Sequence, residues 1–236
     1  MGRQWLHSKK EVTANRRAQI TSKLVREIMV AAKSGTPDPD MNPRLALAVD
    51  AARKQSVSND VIHRAIKKAS GQGSDAVNYE LVTYEGMGPR NVPIIVECLT
   101  ENRNRTGPDI RSIFKDLQFG SKVMFLFDHR GIVEATHDKA GLDLETAAIE
   151  SGAQDVQPLE HVPEGHSGGR FLTDRTDLYT VADALKKAGW NVATAELGYV
   201  AKDPMPLTPD QRAQVIAFLE RLDDHDDVHR VYAAMK

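Results

Sequence analysis

The stretch Gly71-Gln72-Gly73-Ser74 divides a chain of 236 residues into two parts with different sequence patterns. Two glycines and a serine within four residues favour a linker, because glycine disfavours regular structure. Before the linker, apolar side chains recur at the spacing of helices. After it, stretches rich in β-branched residues alternate with helical segments. The sequence therefore predicts a helical domain, residues 1–78, followed by a region of mixed helices and strands.

Three helices are predicted before the linker. The first covers Thr13–Lys33, contains neither proline nor glycine, and ends at Gly35-Thr36-Pro37. The second, Pro43–Gln55, begins with a proline, which the first helical turn tolerates. The third, Asn59–Ser70, follows a serine at position 58 that can serve as its cap.

The region after the linker predicts two α/β domains. Residues 131–203 supply the order β-α-β-β-α-β, which is ferredoxin-like. Residues 79–130 supply only β-β-α-β, with a helix over Thr106–Leu117 capped by its threonine and a strand over Lys122–Phe127. Within residues 204–236, a helix over Thr208–Leu222, capped by Thr208, and a strand over Val228–Ala233 complete that set. We therefore expect an α+β fold: an all-helical N-terminal domain, then two ferredoxin-like α/β domains, one inserted in the other.

Charge is distributed unevenly along the chain. Residues 1–78 hold 14 lysines and arginines and 7 aspartates and glutamates, a net charge of +7. The remaining residues hold 17 and 26 of these, a net charge of −9. A basic segment joined to an acidic body favours a polyanionic partner.

The compartment is predicted from what the sequence lacks. Cys98 is the single cysteine, so an internal disulfide is impossible and a reducing compartment is favoured. No apolar run approaches the roughly 18–20 residues of a membrane span, and the first ten residues lack the apolar core of a signal peptide. We expect a bacterial-type cytosolic protein without a membrane partner.

The basic N-terminal segment is the first candidate site. Phosphates attract such cations, arginine can form paired hydrogen bonds with a phosphate or a base, and tryptophan can stack on an unpaired base. The candidate residues are Arg3, Trp5, His7, Lys9, Lys10, Arg16, Arg17, Lys23, Arg26, Lys33, Arg64, Lys67 and Lys68. The alternative is a solvated basic face with the tryptophan docked on the domain's own core.

A second candidate lies in Asn102-Arg103-Asn104-Arg105-Thr106, where a strand ends and a helix begins. Free N–H groups at a helix N-terminus attract anions, and Arg103 and Arg105 would strengthen such a site. In the alternative interpretation, the asparagine and threonine only cap the helix and both arginines pair with the acidic body.

Enzyme motifs are weak. Gly71-x-Gly73 and Gly86-x-Gly88 are incomplete dinucleotide fingerprints, and no Walker loop is present. Cys98 lies in a predicted strand, where packing is the usual role of a lone cysteine. His225 and His229 lie among four aspartates without metal-ligand spacing, which favours a solvated acidic turn. We predict no catalytic residue, metal or cofactor. An enzyme or ligand receptor with its site in an interdomain cleft remains the alternative from another class.

Several stretches resemble the YebC family of probable transcriptional regulators, which is related to mitochondrial translational activators of cytochrome oxidase. The resemblance extends over nearly the whole chain and is most specific at Glu97–Thr106, which contains the Asn-Arg-Asn-Arg-Thr run. The other matching stretches are Met1–Trp5, Lys23–Ile28, Asn42–Leu45, Arg64–Lys68, Tyr84–Pro89 and Val231-Tyr232. Phe119–Val123 departs from the family pattern, which has a longer Gly-Gly-Asn-type turn there.

The resemblance implies a fold of three domains and a function without catalysis. It implies promoter DNA binding and transcriptional control in some lineages. In others it implies ribosomal RNA, the ribosome and translation through proline-rich stretches. Our main hypothesis is a nucleic-acid-binding regulator of gene expression, with DNA named first by the family and a ribosome-associated translation factor as the alternative. A module that binds only proteins is a further alternative.

Overall fold

The computed structural model describes residues 14–71 and 78–236. Its first three elements are helices α1 (Ala14–Ser34), α2 (Pro43–Lys54) and α3 (Asn59–Ala69). Their apolar faces meet in one core that includes Ile28, Leu45 and Ile62, each at most 2% exposed. The helical spacing of these apolar residues in the sequence therefore forms one buried face per helix.

Asn42 joins the end of α1 to the start of α2. Its side chain is buried, and Nδ2 donates to the carbonyl oxygens of Ala31 (2.9 Å) and Thr36 (2.8 Å). Its Oδ1 accepts from the backbone N–H of Leu45 at 3.1 Å, which makes Asn42 the N-cap of α2. One side chain thus satisfies the backbone groups of two helix ends.

Strands and helices alternate from residue 80 onward. In chain order they are β1 (Glu80–Met87), β2 (Pro93–Thr100), α4 (Arg103–Phe114), β3 (Gln118–Phe119), β4 (Phe127–His137), α5 (Leu144–Ser151), β5 (Asp155–Pro158), β6 (Ser167–Thr173), α6 (Leu178–Lys187), β7 (Asn191–Ala201), α7 (Pro209–Asp223) and β8 (Val228–Ala233).

The first sheet is antiparallel and has the strand order β3-β1-β2-β8. Its last strand and helix α7 come from the C-terminal residues, as the sequence predicts. Helix α7 begins with a capping box in which Thr208 and Gln211 bond each other's backbone. Phe114 of α4 and Phe218 of α7 meet edge to face in the core between sheet and helices, with ring centroids 5.1 Å apart.

The second sheet has the strand order β5-β6-β4-β7. Strands β4 and β6 are antiparallel, and the elements follow the β-α-β-β-α-β order predicted from the sequence. Helices α5 and α6 cover one face, with Phe171, Leu185 and Trp190 in the core. The predicted α+β class, with N-terminal helices followed by two α/β sheets, is therefore confirmed.

Two predictions near α4 are wrong: the start of that helix and the strand expected after it. The helix begins at Arg103 rather than after Thr106, because Asn102 is the residue that caps it. The expected strand over Lys122–Phe127 is a short 3₁₀ turn over Met124–Leu126, followed by β4. The backbone N–H groups of that turn bind a side chain, Glu85, instead of a neighbouring strand.

The chain divides into two compact units. One contains the described residues up to Asp128 together with Val200–Lys236, and the other contains His129–Tyr199. The boundaries of three domains inferred from the sequence stay a prediction. None of the helices within residues 14–71 and 78–236 combines the length and apolar character that a membrane span needs.

Candidate nucleic-acid interface

Lys23 of α1 faces the acidic turn, which we define as residues 223–227, from the last residue of α7 to the residue before β8. The lysine side chain is only 8% exposed, and its Nζ lies 3.2 Å from Oδ1 of Asp223. The same ammonium donates to the backbone carbonyl of Asp223. Lys23 is therefore engaged within the chain and does not face solvent.

Arg26, one helical turn further along α1, is engaged in the same way. Its Nη1 donates to Oδ1 of Asp227 at 3.0 Å, and its guanidinium lies 5.3 Å from the ring centroid of Tyr79. The side chain is 18% exposed. A planar guanidinium can combine an ion pair with stacking on an aromatic ring, which a lysine could not do equally well.

Asp227 is the centre of this network. It is 3% exposed, and its Oδ2 accepts from the hydroxyl of Thr106 at 2.7 Å and from Nη2 of Arg105 at 3.1 Å. Burial opposes ionisation of Asp227. The bonds from Thr106 and Arg105 and the charges of Arg26 and Arg105 outweigh it, so the pKa is lowered from that of an ordinary aspartate. The carboxylate therefore joins α1, α4 and the acidic turn.

The N-terminus of α4 is already capped. Oδ1 of Asn102 accepts from the N–H groups of Asn104 (3.1 Å) and Arg105 (3.2 Å), two of the donors that an anion would use. Nε of Arg103 lies 3.5 Å from Glu80, with both side chains largely exposed. This geometry matches the capping alternative raised from the sequence. As anion ligands, Arg103 and Arg105 stay a prediction.

Other predicted cations of α1 differ in exposure. Lys33 is exposed and donates to the side-chain oxygen of Asn78. Arg16 is half-buried, whereas Arg17 is exposed and has no ion pair with a described residue. On α1, Arg17 in the first turns is therefore an exposed cation without an ion pair to a described residue, and Lys33 in the last turn is exposed but bonded to Asn78.

Helix α3 presents the clearest outward cations. Arg64 and Lys67 are exposed, and Lys68 is half-buried. Nε of Arg64 donates to the backbone of its own helix, the carbonyl oxygen of Asp60, at 3.2 Å. At about 100° per residue the three cations share one side of the helix, opposite the buried Ile62 and Ala65. No ion pair joins any of the three to a residue within 14–71 or 78–236.

Five predicted contact residues lie outside the described residues. They are Arg3, Trp5, His7, Lys9 and Lys10. Their proposed contacts with nucleic acid stay predictions.

Catalytic and metal alternatives gain no geometric support in the described part of the chain. Cys98 is fully buried in β2, and burial raises the pKa of its thiol to about 12. His225 accepts from the N–H of Asp227 at 3.1 Å and lies 3.6 Å from Asp109, while His229 lies 3.7 Å from Glu27. Among residues 14–71 and 78–236, no group of three or more His, Cys, Asp or Glu side chains is arranged to hold a metal.

The acidic turn is the functional feature that the sequence interpretation missed. The sequence predicts a solvated acidic turn, yet Asp223 and Asp227 bind the basic helix α1 of the same chain. The opposite net charges of the two parts of the sequence were the available signal. Opposite charges favour two explanations equally: a separate polyanion that binds the basic part, or ion pairs between the two parts of the chain. Only the folded chain distinguishes these two explanations.

Comparison with known protein families gives two matches along this chain. Residues 2–72 match the model of the TACO1/YebC protein N-terminal domain, and residues 79–235 match that of the TACO1/YebC second and third domain. The chain belongs to the TACO1/YebC family. The first match covers helices α1 to α3, which carry the outward cations. The second match covers the two sheets and the acidic turn.

Relatives in this family match the chain over its full length. A probable transcriptional regulatory protein of Pseudomonas syringae is 46% identical, covering 100% of this chain and 99% of that protein. One from Bdellovibrio bacteriovorus is 44% identical, with 100% of both chains covered. The crystal structure of a conserved hypothetical protein, Aq1575 from Aquifex aeolicus, matches with a TM-score of 0.85 at 34% identity. That match covers 98% of this chain and 94% of the other.

Proposed function

We propose that this TACO1/YebC-family protein is a cytoplasmic, non-catalytic regulator of gene expression that binds nucleic acid through its basic helical segment. The observation that carries the proposal is the outward cationic side of α3, formed by Arg64, Lys67 and Lys68. A cluster of cations on one side of a helix supplies the charge that a phosphate backbone requires. The names of the relatives, probable transcriptional regulatory proteins, support DNA as the first target.

The internal ion pairs reduce the set of cations in the proposed interface. Lys23 and Arg26 of α1 bind the acidic turn, so they are committed to the fold before any ligand arrives. Arg17, Arg64 and Lys67 are exposed and Lys68 is half-buried, and none of the four has an ion pair with a described residue. The proposed interface therefore uses α3 and the start of α1, to which Arg3, Trp5, His7, Lys9 and Lys10 would add further contacts.

The test compares two charge-matched triple variants. Arg64→Gln/Lys67→Gln/Lys68→Gln removes the α3 cations, and Lys139→Gln/Arg175→Gln/Lys236→Gln removes three exposed cations elsewhere. Fluorescence anisotropy with a 30-base-pair DNA would measure the dissociation constant between 50 and 300 mM salt. Because each phosphate contact contributes about −0.9 to the slope of log K against log salt, the α3 variant should lose about two to three from that slope. The control should keep the wild-type slope.

A second measurement distinguishes the two polymers. A discrete footprint on promoter DNA at physiological salt supports the transcriptional role. Co-sedimentation with ribosomal RNA that the α3 variant loses, without a DNA footprint, replaces that role with ribosome-associated translation. Wild-type protein without salt-sensitive affinity for either polymer refutes the proposed function.

A further inference from the structure

A basic island interrupts the acidic part of the chain. Residues 102–125 contain five lysines and arginines and two aspartates, a net charge of +3. Residues 79–101 have a net charge of −3, and residues 126–236 one of −9. Arg111, Lys115 and Lys122 of this island are exposed. The two acids, Asp109 and Asp116, are exposed as well, and Asp109 lies 3.6 Å from His225. Cations therefore dominate the accessible side chains here.

The island ends in an exposed aromatic side chain, Phe125, which is 68% exposed, and its neighbour Met124 is 38% exposed. Burying a phenylalanine side chain is ordinarily favourable by about 1.5–3 kcal/mol, so Phe125 in water keeps a large apolar surface exposed that a ligand could bury. The ring also has an open π-face, which a ligand can cover.

The turn that carries Phe125 is held firmly on both sides. Oε2 of Glu85 accepts from the backbone N–H groups of Val123 (2.7 Å) and Met124 (2.8 Å). On the other side, Nζ of Lys202 donates to the carbonyl oxygen of Phe125 at 3.0 Å. The exposed ring is thus presented by a fixed backbone, which lowers the entropy cost of binding to it.

One cation of the island, Arg111, contacts a segment that Glu85 also binds. The guanidinium of Arg111 lies 5.1 Å from the ring centroid of Phe119. Phe119 pairs with Gly86 of β1, and the next residue, Gly120, donates to the backbone oxygen of Glu85 at 2.8 Å. Glu85 therefore binds both the backbone beside Phe119 and the turn before Phe125, which brings the ring contacted by Arg111 and the segment that carries the exposed ring to the same residue of β1.

We infer that Arg111, Lys115, Lys122 and Phe125 form a second contact surface, one that binds an unpaired nucleic-acid strand. The ring stacks on a base and the three cations bind phosphates, a combination that favours single strands because bases within a duplex already stack on each other. This inference rests on the proposed function, adding a substrate class and a site distinct from α3.

The test uses the full chain and fluorescein-labelled oligo(dT) and oligo(U) of 12 nucleotides, measured by anisotropy. Loss of one base stack in Phe125→Ala should weaken binding by about 5-fold to 100-fold. Phe125→Leu should bind the oligonucleotides as weakly as Phe125→Ala. Leucine keeps an apolar side chain but lacks the π-face on which a base could stack. Phe125→Trp should bind at least as tightly as the wild type. Thermal unfolding checks that these exposed substitutions leave the fold intact.

Charge is tested separately from stacking. Lys115→Gln/Lys122→Gln should reduce the salt slope for oligo(dT) by about one to two, since each single-strand phosphate contact contributes about −0.7. The matched control is Lys139→Gln/Lys236→Gln, which removes two exposed lysines outside the island. Photocrosslinking of an oligo with 5-iodouracil should attach it within residues 119–126.

The outcomes separate this inference from the proposed function. If Phe125→Ala binds single strands like the wild type while the α3 variant is impaired, the second surface is refuted and the proposed function stands. Full affinity in Phe125→Leu refutes base stacking at this ring. A wild-type protein that binds neither oligonucleotides nor duplex refutes both proposals together.

Discussion

Nη1 of Arg26 lies 3.0 Å from Oδ1 of Asp227, although 201 residues separate them in the sequence. The contact attaches the long N-terminal helix to the turn that precedes the last strand. The same carboxylate accepts from Arg105 and Thr106 at the start of α4. Three segments distant in sequence therefore share one buried anion, and losing it leaves two arginines without their partner.

The first prediction concerns stability. Asp227→Asn keeps the shape of the side chain but removes the charge that binds Arg26 and Arg105. Hydrogen bonds to a charged group contribute about 1.5–3 kcal/mol, and both arginines keep access to solvent, so the free energy of unfolding should fall by about 2 kcal/mol. Urea unfolding followed by circular dichroism would measure this loss.

The neighbouring aspartate provides the control for that substitution. Asp226 is exposed, and Arg26 binds its backbone carbonyl rather than its carboxylate. Asp226→Asn should therefore change the free energy of unfolding by less than about 0.5 kcal/mol. Equal effects of the two substitutions would contradict the central role of Asp227.

The second prediction concerns pH. The pKa of Asp227 is lowered in the folded chain, so its ionised form stabilises the fold above the unfolded-state pKa of about 3.9. That contribution is lost as pH falls through the lower folded-state pKa. The difference in unfolding free energy between wild type and Asp227→Asn should be constant above about pH 5 and shrink below about pH 4. Urea midpoints between pH 3 and 7 test this, and a difference independent of pH would contradict it.

The third prediction separates cations of the fold from cations of the interface. Lys23→Gln should lower thermal stability, because Lys23 is buried against Asp223. Its salt slope for DNA binding should equal that of the wild type, because no phosphate reaches the side chain. Arg17→Gln, at an exposed position on the same helix, should show the opposite pattern. A reduced slope in Lys23→Gln would mean that α1 leaves the acidic turn when nucleic acid binds.

The sequence predicted the fold well where local rules decide it. Helix α2 starts at the predicted Pro43, strand β8 covers the predicted Val228–Ala233, and Thr208 caps α7 as expected. In each case a proline, a threonine cap or a strand with two valines and a tyrosine sets the boundary within a few residues. The errors around α4 arise because Thr106 is a good cap in isolation, whereas in the fold its hydroxyl binds Asp227.

The candidate site was less predictable. Arg26 and Arg64 look alike in the sequence, since each is an arginine on the polar side of a basic helix. Only the position of the acidic turn decides that Arg26 is engaged by Asp227 and that Arg64 is exposed. A pairing across about 200 residues leaves no periodic pattern, so spacing rules that identify helices carry no information about it.

The fourth prediction concerns the single cysteine. Cys98 is fully buried, and desolvation raises the pKa of its thiol to about 12. At pH 8 the reactive thiolate is therefore almost absent, and reagents cannot reach the sulfur. Native protein should react with Ellman's reagent at least 100-fold more slowly than protein in 6 M guanidinium chloride. A rapid native reaction would contradict the buried position.

The fifth prediction tests the close packing of β1 against β3. A Cβ atom at Gly86 would lie 2.7 Å from the backbone oxygen of Gln118 and 2.9 Å from the Phe114 ring. Because a backbone oxygen cannot rotate away, Gly86→Ala should cost about 2 kcal/mol of unfolding free energy. Gly107→Ala, whose added Cβ has its nearest neighbour at 3.4 Å, is the control.

The two glycine variants should differ in their free energy of unfolding. Gly107 lies inside α4, where alanine favours the helix by about 1 kcal/mol over glycine, but Pro108 follows and disfavours a Cβ in the helical conformation before it. Gly107→Ala should therefore be close to neutral. Gly86→Ala should also speed hydrogen exchange at the amide of Gly120, which bonds the carbonyl of Glu85 beside the strained pair. Since Glu85 also holds the turn before Phe125, the same variant should weaken oligo(dT) binding although it alters neither a charge nor the ring. Unchanged exchange at Gly120 together with unchanged stability would contradict the tight β1–β3 contact.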